Sequence, residues 1–210
     1  MSYGIKTSAE CIEDHGIVPD ITLDDSCCEI MMTIDGTEKY ADDKLSILER
    51  NSIAKTQTYD LEADSSTGID PSLLQFLRLK LIDGKDSFIL ESCFYNTVFF
   101  TLQQPFSKVN EIKVYEYIFK YCDEQLDKIN SISSAKNDES IVSNKSNDIN
   151  KIMIARLRLQ ERASLVENLN RAKTELTLLQ GVGDSREYYQ ERRLRELDLL
   201  RPLDESEILE

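Results

Sequence analysis

The sequence predicts a mainly α-helical protein with a few short strands near its N-terminus. Only seven glycines and four prolines occur among the 210 residues, so long helices can run without interruption. Two stretches, within residues 107–130 and 148–180, repeat apolar residues at alternating spacings of three and four. This is the period of a helix that buries one face. The apolar content of 40% is sufficient for a packed core.

The composition also excludes several kinds of partner. Acidic residues outnumber basic ones by 39 to 25, and the resulting charge of −14 repels nucleic-acid phosphates and anionic lipids. No apolar run approaches the ~18 residues that a membrane-spanning helix needs. The five cysteines form no C-x-x-C pair, which favours reduced thiols over disulfides or a zinc site. We therefore expect a cytoplasmic or nuclear protein that binds neither nucleic acid nor membrane.

The first predicted elements are a short helix and a strand. Thr7 and Glu10 have the spacing of a capping box, which indicates where a helix begins. Gly16 favours the left-handed conformation that ends one, so the helix is expected at Ser8–His15. Cys28–Ile34 is apolar and contains neither glycine nor proline, which favours a strand.

Residues 37–61 are predicted to add a second helix and a second strand. Thr37–Asn51 is typical of a helix. Its core-facing residues are predicted to be Tyr40, Leu45 and Leu48. Thr56–Leu61 alternates weakly between polar and apolar residues, which predicts a strand.

The middle of the chain is predicted to be helical. Asp70-Pro71 is a strong helix start, because aspartate caps free N–H groups and proline has none to leave unpaired. Ser107 begins the clearest helix, whereas the apolar stretch Phe88–Leu102 has an ambiguous period. The predicted apolar stripes are Leu73, Leu74, Leu77 and Leu81 in the first helix, and Ile112, Tyr115, Phe119, Cys122, Leu126 and Ile129 in the second.

The C-terminal part is predicted to contain a linker, a long helix and a charged tail. Residues 130–147 are rich in Ser, Asn, Lys and Asp, and we expect a mobile linker or insertion because they offer little apolar area to bury. Residues 148–180 predict a core helix with one wet face, and residues 185–200 a second, strongly charged helix. The stripe of the long helix is Leu165, Leu169, Ala172, Leu176 and Leu179.

Composition and spacing indicate no self-sufficient active site. Acid–base and nucleophilic centres usually need a histidine, and His15 is the only one. Its place before Gly16 favours a role at a helix C-terminus over a catalytic one. Adjacent carboxylates such as Asp42-Asp43 point apart on a regular element, so no metal site is expected.

Three stretches carry motifs whose order is informative. They are Tyr3-Gly4 through Ala9-Glu10 to Gly16-Ile17, then Ser72–Leu79 with Asp86–Phe94, Pro105, Ser107 and Asn110-Glu111, and finally Ile154–Glu161. In this order they resemble the SET-domain protein methyltransferases of the Rubisco large-subunit methyltransferase type. Such proteins carry a split SET domain followed by a helical substrate-binding lobe. A short tail segment, residues 186–190, resembles the actin-histidine N-methyltransferase branch.

The resemblance implies methyl transfer from S-adenosylmethionine to a side-chain nitrogen of a protein substrate, either actin or a lysine-bearing protein. By the resemblance, Tyr3 matches the catalytic tyrosine, and His15 and Ile17 match cofactor-binding positions. It divides the chain into a C-terminal SET remnant (1–19), a substrate-binding lobe (20–180) and a charged helical tail (181–210). A monomer is expected.

The departures from the family pattern determine what the chain is expected to do. No Asn-His motif occurs in the 210 residues, Thr7-Ser8 replaces Ser-Asn, and Ile17 replaces an aromatic residue. The SET core would precede Tyr3, so we expect the substrate-binding portion of a methyltransferase, inactive alone and unable to bind S-adenosylmethionine. The alternatives are a stand-alone non-catalytic binding module and a helical scaffold that self-associates through residues 148–180.

Overall fold

The computed structural model describes residues 7–19, 23, 26–64, 68–95, 105–143 and 148–181. This part of the chain is mainly helical with one small antiparallel sheet, which confirms the predicted fold class. Its elements are α1 (Ser8–His15), β1 (Cys27–Thr33), α2 (Ala41–Arg50), β2 (Thr56–Glu62), α3 (Pro71–Lys80), a 3₁₀ helix (Gly84–Phe88), α4 (Ile89–Tyr95), α5 (Lys108–Ile132), α6 (Ala135–Ser143) and α7 (Ile149–Gly181).

The predicted helix starts are confirmed by their hydrogen bonds. In α1 the amide of Glu10 donates to Thr7 Oγ1 at 3.1 Å, and the amide of Thr7 donates to Glu10 Oε2 at 2.9 Å. This reciprocal pair is a capping box. Asp70 accepts from the amide of Ser72 at 2.7 Å at the start of α3. Gly16 ends α1 with φ 67°, the left-handed conformation that glycine adopts without strain.

The sheet has one buried and one exposed face. β1 pairs with β2 so that Ile30 lies opposite Tyr59 and Glu29 opposite Asp60. Ile30 and Leu61 point into the core, whereas Met31 remains exposed on the outer face. Both strand predictions are therefore confirmed to within a residue at each end.

The core lies between the inner face of the sheet and the helices, where α5 packs along α7. On α5 the buried residues are Val114, Ile118 and Cys122. Other members of the predicted stripe, such as Tyr115 and Phe119, are partly buried beside them. The buried face of α5 is shifted from the predicted stripe because it also contains Asn110 and Glu111. Both residues are polar, so a prediction from the spacing of apolar residues does not count them.

The long helix α7 is confirmed as a core helix, and its predicted residues Leu165, Ala172 and Leu179 are buried. Its contact with the sheet is polar. Ser164 Oγ donates to the carbonyl of Leu61, and Asn168 Nδ2 donates to the carbonyl of Glu62 at 2.9 Å. These side chains donate to backbone carbonyls at the end of β2, and the carbonyl of Glu62 also accepts from Arg171 Nη1 at 3.0 Å.

The segment that connects α1 to β1 is also held by α7. Gln160 Nε2 donates to the carbonyl of Pro19 at 3.1 Å. Ser26 Oγ donates to the carbonyl of Gln160 at 3.0 Å. Val18 is 5% exposed. Pro19 and Ser26 are thus both attached to Gln160, in the middle of α7.

Residues 130–147 were predicted as a mobile linker or insertion without regular structure, but most of residues 130–143 are helical. Residues up to Ile132 continue α5, and Ala135–Ser143 form α6. The reason is electrostatic rather than apolar. Asp138 is fully buried and receives hydrogen bonds from Arg158 and Arg162 of α7, so an ion-pair network holds a segment that has few apolar side chains.

The prediction for Tyr40 is also wrong. The helix begins at Ala41, and Tyr40 precedes it with φ 59° and ψ 33°, a left-handed conformation that is rare for tyrosine. Its side chain is 40% exposed, whereas Leu48 is buried as predicted. The turn at residues 36–40 directs the ring to the surface instead of the core.

Several predictions lie outside the described residues. These include the one for Tyr3, the helix at 185–200 and residues 96–102 of the ambiguous stretch. The described residues 89–95 of that stretch form α4. Within the described ranges, none of the helices is long and apolar enough to cross a membrane. All five cysteines are free thiols.

Candidate functional site

The predicted cofactor residues lie at the surface. His15 is the last residue of α1 and is exposed, and Ile17 is 56% exposed two residues later. Ile17 has no ring that could stack on adenine. Neither residue lines any of the cavities described below. The described residues around them therefore do not fit S-adenosylmethionine by themselves, and no catalytic step is assigned to them.

The residues of the second family-like stretch form a buried polar junction. Arg78 of α3 donates from Nε to Glu111 Oε1 at 2.6 Å and from Nη2 to Glu111 Oε2 at 2.9 Å. Arg78 Nη1 also donates to Gln75 Oε1 at 3.1 Å, and Asn110 Nδ2 donates to the carbonyl of Arg78 at 3.1 Å. All four residues are at most 5% exposed. We call this group, with Glu111 on α5, the Arg78 junction.

The same stretch joins the 3₁₀ helix to α5. Ser107 Oγ donates to Asp86 Oδ2 at 2.6 Å and accepts from the amide of Asn110 at 3.1 Å. One hydroxyl thus caps α5 and holds the carboxylate of the 3₁₀ helix. The residues that carry the resemblance in this stretch therefore fix the relative positions of α3, the 3₁₀ helix and α5, which is a structural role.

A groove of about 570 Å³ lies between α2 on one side and the 3₁₀ helix and α4 on the other. We call it the aromatic groove. Its rings have substantial free surface, since Tyr40 is 40%, Phe88 50% and Tyr95 70% exposed. Phe94 packs edge-on against Tyr95, with ring centroids 5.3 Å apart and an interplanar angle of 88°. The lining also includes two carboxylates, those of Asp43 and Glu91.

The guanidinium of Arg50, at the end of α2, lies 4.9 Å from the centroid of the Phe94 ring. This is cation–π distance, at which the negative face of an aromatic ring attracts a positive charge. A ring that lines the aromatic groove thus already holds a cation from its own chain.

A second, acidic cleft of about 320 Å³ lies between α1 and the outer face of the sheet. Thr7 Oγ1 donates across it to Glu29 Oε1 at 3.0 Å. Burial, together with the neighbouring carboxylates of Glu29 and Glu10, raises the pKa of Asp60. Burial, again with nearby carboxylates, raises the pKa of Cys27 to about 11. That thiol is therefore protonated at neutral pH, so the cleft contains no thiolate nucleophile.

A third, shallower cavity of about 310 Å³ contains the buried Lys44. Its Nζ donates to the carbonyl of Lys80 at 2.5 Å and lies 3.6 Å from Glu38 Oε2. Burial lowers the pKa of Lys44, and the Glu38 carboxylate opposes that shift. Glu38 also pairs with Lys80, so this cluster is an internal ion network between the turn before α2 and the end of α3. Within the described ranges, no group of three or more His, Cys, Asp or Glu residues is arranged to hold a metal ion.

Comparison with known proteins identifies the family. The profile described as "Rubisco LSMT substrate-binding" matches residues 35–165, and the chain belongs to this family. The matched region contains the Arg78 junction, the aromatic groove and the first half of α7. The predicted resemblance is confirmed at this level, and the chain is related to the C-terminal part of SET-domain protein-lysine methyltransferases.

Two plant enzymes are among its relatives. The Rubisco large subunit N-methyltransferase of Nicotiana tabacum is 30% identical over 198 residues, which are 93% of this chain and 38% of that protein. The [fructose-bisphosphate aldolase]-lysine N-methyltransferase of Arabidopsis thaliana is 30% identical over 197 residues, 93% of this chain and 39% of that protein. The chain thus spans less than half the length of the curated relatives it matches.

Solved structures of LSMT proteins are also similar to this chain. The SET domain of LSMT bound to methyllysine and AdoHcy superposes with a TM-score of 0.77 at 26% identity, over 100% of this chain and 46% of that one. Rubisco LSMT bound to AdoMet gives a TM-score of 0.74 at 26% identity, over 97% and 45%. The predicted link to the actin-histidine branch is not tested by these relatives and stays a prediction.

The aromatic groove was not predicted from the sequence. Tyr40 was assigned to the core, and Phe88 and Tyr95 fell in a stretch of ambiguous period. A signal was present, because a helix as short as α4 cannot bury two adjacent aromatic rings on one face. Only the position of α2 beside it turns these rings into one groove.

Proposed function

We propose that this chain is the substrate-binding portion of an S-adenosylmethionine-dependent protein N-methyltransferase, with a lysine as its target residue. The observation that carries the proposal is the superposition of the whole chain on 46% of the LSMT chain that was crystallised with methyllysine. The name of the Arabidopsis relative specifies lysine, and the LSMT structure holds methyllysine, which favours lysine over histidine.

The geometry supports a protein-binding surface rather than a catalytic site. The Arg78 junction and the polar contacts of α7 hold the helices rigidly, and a preorganised surface binds a protein partner with less loss of conformational entropy. The helical-scaffold alternative is disfavoured, because the predicted stripe of α7, including Leu165 and Ala172, is packed within its own chain.

The same proposal assigns Tyr3 as the phenol that orients the attacking amine, with His15 and Ile17 near the methyl donor. These roles require the Asn-His motif and the catalytic sheet of a SET core. The 210 residues contain no Asn-His dipeptide, and the sheet of the described residues has two strands. We therefore expect this chain, taken alone, to bind its protein target without binding S-adenosylmethionine. Its cytoplasmic or nuclear location and its monomeric state also stay predictions.

Two binding experiments on the full chain test the proposal. Biolayer interferometry against Rubisco holoenzyme, fructose-bisphosphate aldolase and actin is expected to detect binding to one of the two lysine-methylated enzymes. Binding to actin alone would overturn the lysine assignment, and no binding to any of the three would overturn the substrate-binding role. Titration calorimetry with S-adenosylmethionine is expected to give no binding heat. Micromolar affinity would contradict the view that these residues lack a complete cofactor site.

A further inference from the structure

All three exposed aromatic side chains of the described residues lie in one place. Tyr40, Phe88 and Tyr95 line the aromatic groove, and the other large exposed hydrophobic side chains of the described residues are isoleucine, leucine, valine and methionine. Exposed aromatic rings are costly to hydrate, so their concentration in one groove marks a surface that another molecule covers.

The charges of the groove indicate the chemistry of the molecule that covers it. Asp43 and Glu91 contribute carboxylates, and no lysine or arginine is among the described residues that line it. Aromatic faces combined with carboxylates favour ammonium and guanidinium groups, through cation–π attraction and ion pairing together. Arg50 demonstrates this preference within the chain, because its guanidinium already lies on the Phe94 ring.

The backbone of Tyr40 adds a second argument. Tyrosine is disfavoured in the left-handed conformation, which asparagine and glycine adopt at lower cost. A strained residue is retained where its side chain serves a purpose that the favoured residue cannot. Here the side chain forms one rim of the groove, opposite α4.

We infer that the aromatic groove docks a lysine-containing basic segment of the protein substrate. The inference rests on the proposed function and adds to it the place and the chemistry of contact. The cationic side chains of the segment lie over Tyr40, Phe88 and Tyr95, and their charges pair with Asp43 and Glu91.

A direct test uses fluorescence anisotropy with a fluorescein-labelled peptide of alternating lysine and alanine. The fully acetylated peptide has the same length without the charges, and a peptide with glutamate in place of lysine reverses them. Acetylation is expected to weaken binding about ten-fold, and the glutamate peptide is expected not to bind. Equal affinity for the lysine and acetyl-lysine peptides would overturn the inference.

Variants distinguish a loss of peptide binding at the groove from a loss of folding stability. Tyr40→Asn relieves the backbone strain, so its melting temperature should not fall, yet its affinity for the lysine peptide should fall about five-fold. Tyr40→Phe keeps the ring and should retain affinity. Asp43→Asn is expected to weaken binding, whereas Asp42→Asn, its exposed neighbour in the first turn of α2 but outside the groove, should not. Equal effects of the two aspartate variants would contradict the groove.

Arg50→Gln is expected to change the affinity for the lysine peptide in the opposite direction. It frees the face of Phe94 and removes a positive charge from the edge of the groove, so the lysine peptide should bind at least about two-fold more tightly. A misfolded protein cannot produce this gain. Weaker binding by Arg50→Gln would overturn the inference.

Two further measurements complete the test. The first checks whether a second copy of the chain occupies the groove, and the second tests the groove separately from the proposed substrate-binding role. If a second copy of the chain covers the groove, light scattering will detect a dimer that Tyr40→Asn dissociates, and the inference is overturned. If the Tyr40→Asn/Asp43→Asn/Glu91→Gln variant binds Rubisco or aldolase as tightly as the unaltered chain, the groove is not the docking place although the substrate-binding role stands. Loss of that binding with an unchanged melting temperature supports the inference.

Discussion

The guanidinium of Arg78 and the carboxylate of Glu111 form a two-pronged ion pair across 33 positions of sequence, with both side chains nearly removed from solvent. The pair joins the end of α3 to the first turn of α5. Since Glu111 lies near the N-terminus of α5, the helix dipole also favours its negative charge.

Glu111→Gln is expected to destabilise the protein by about 3–5 kcal/mol, because it removes the carboxylate charge that the buried guanidinium of Arg78 binds through two nitrogens. Urea denaturation followed by circular dichroism measures the effect. The control is Glu124→Gln, which breaks the exposed Lys120–Glu124 pair on the same helix and should cost less than about 1 kcal/mol. Similar losses in the two variants would contradict the assigned role of the junction.

Asp138 predicts a specific loss of stability in acid. Burial would raise its pKa, but hydrogen bonds from Arg158, Arg162 and Ser133 outweigh burial and lower the pKa to about 2. A carboxyl whose pKa is lower in the folded state stabilises the fold at pH above its unfolded value, near 3.8. That contribution, on the order of 2 kcal/mol, is lost progressively as the pH falls from about 4 to below 2.

Asp138→Asn should flatten this part of the stability–pH profile, because the amide does not titrate. Asp123→Asn changes an exposed position on α5 and should leave the profile as it is in the unaltered chain. Urea titrations at several pH values between 5 and 2 provide the measurement. A profile for Asp138→Asn that keeps the full acid slope would show that other groups control it.

Asn168 and Asn170 allow a matched comparison on α7. Asn168 Nδ2 donates to the carbonyls of Glu62 and Ser164, both at 2.9 Å, whereas the side chain of Asn170 is exposed. Asn168→Ala is expected to cost about 1–3 kcal/mol, because it leaves the Glu62 carbonyl with fewer donors. Asn170→Ala should stabilise the helix slightly through the higher helix propensity of alanine. Thermal unfolding compares the two, and a neutral Asn168→Ala would argue against the polar contact between α7 and the sheet.

Local signals predicted the element types well. The capping box of Thr7, the Asp70-Pro71 start and the Ser107 cap depend on residues within four positions, so sequence alone locates them. Asp138 behaves differently, because its partners Arg158 and Arg162 are 20 and 24 positions away. Composition therefore misassigned its helix as a linker.

The candidate docking surface was beyond local prediction for the same reason. Nothing near Tyr40 in sequence distinguishes a core ring from a surface ring, since α4, which faces it, comes nearly 50 positions later. The family itself was predictable, because it depends on the order of motifs rather than on their contacts.

The attachment of Val18, Pro19 and Ser26 to α7 determines how this polypeptide can be divided. A shorter version that starts after Pro19 would remove the acceptor of Gln160, and it would uncover the site where Val18 is seated. The boundary that family resemblance draws at residue 19 is therefore a poor place to cut. An excised lobe that keeps α1 should be the version that resists limited proteolysis and yields crystals.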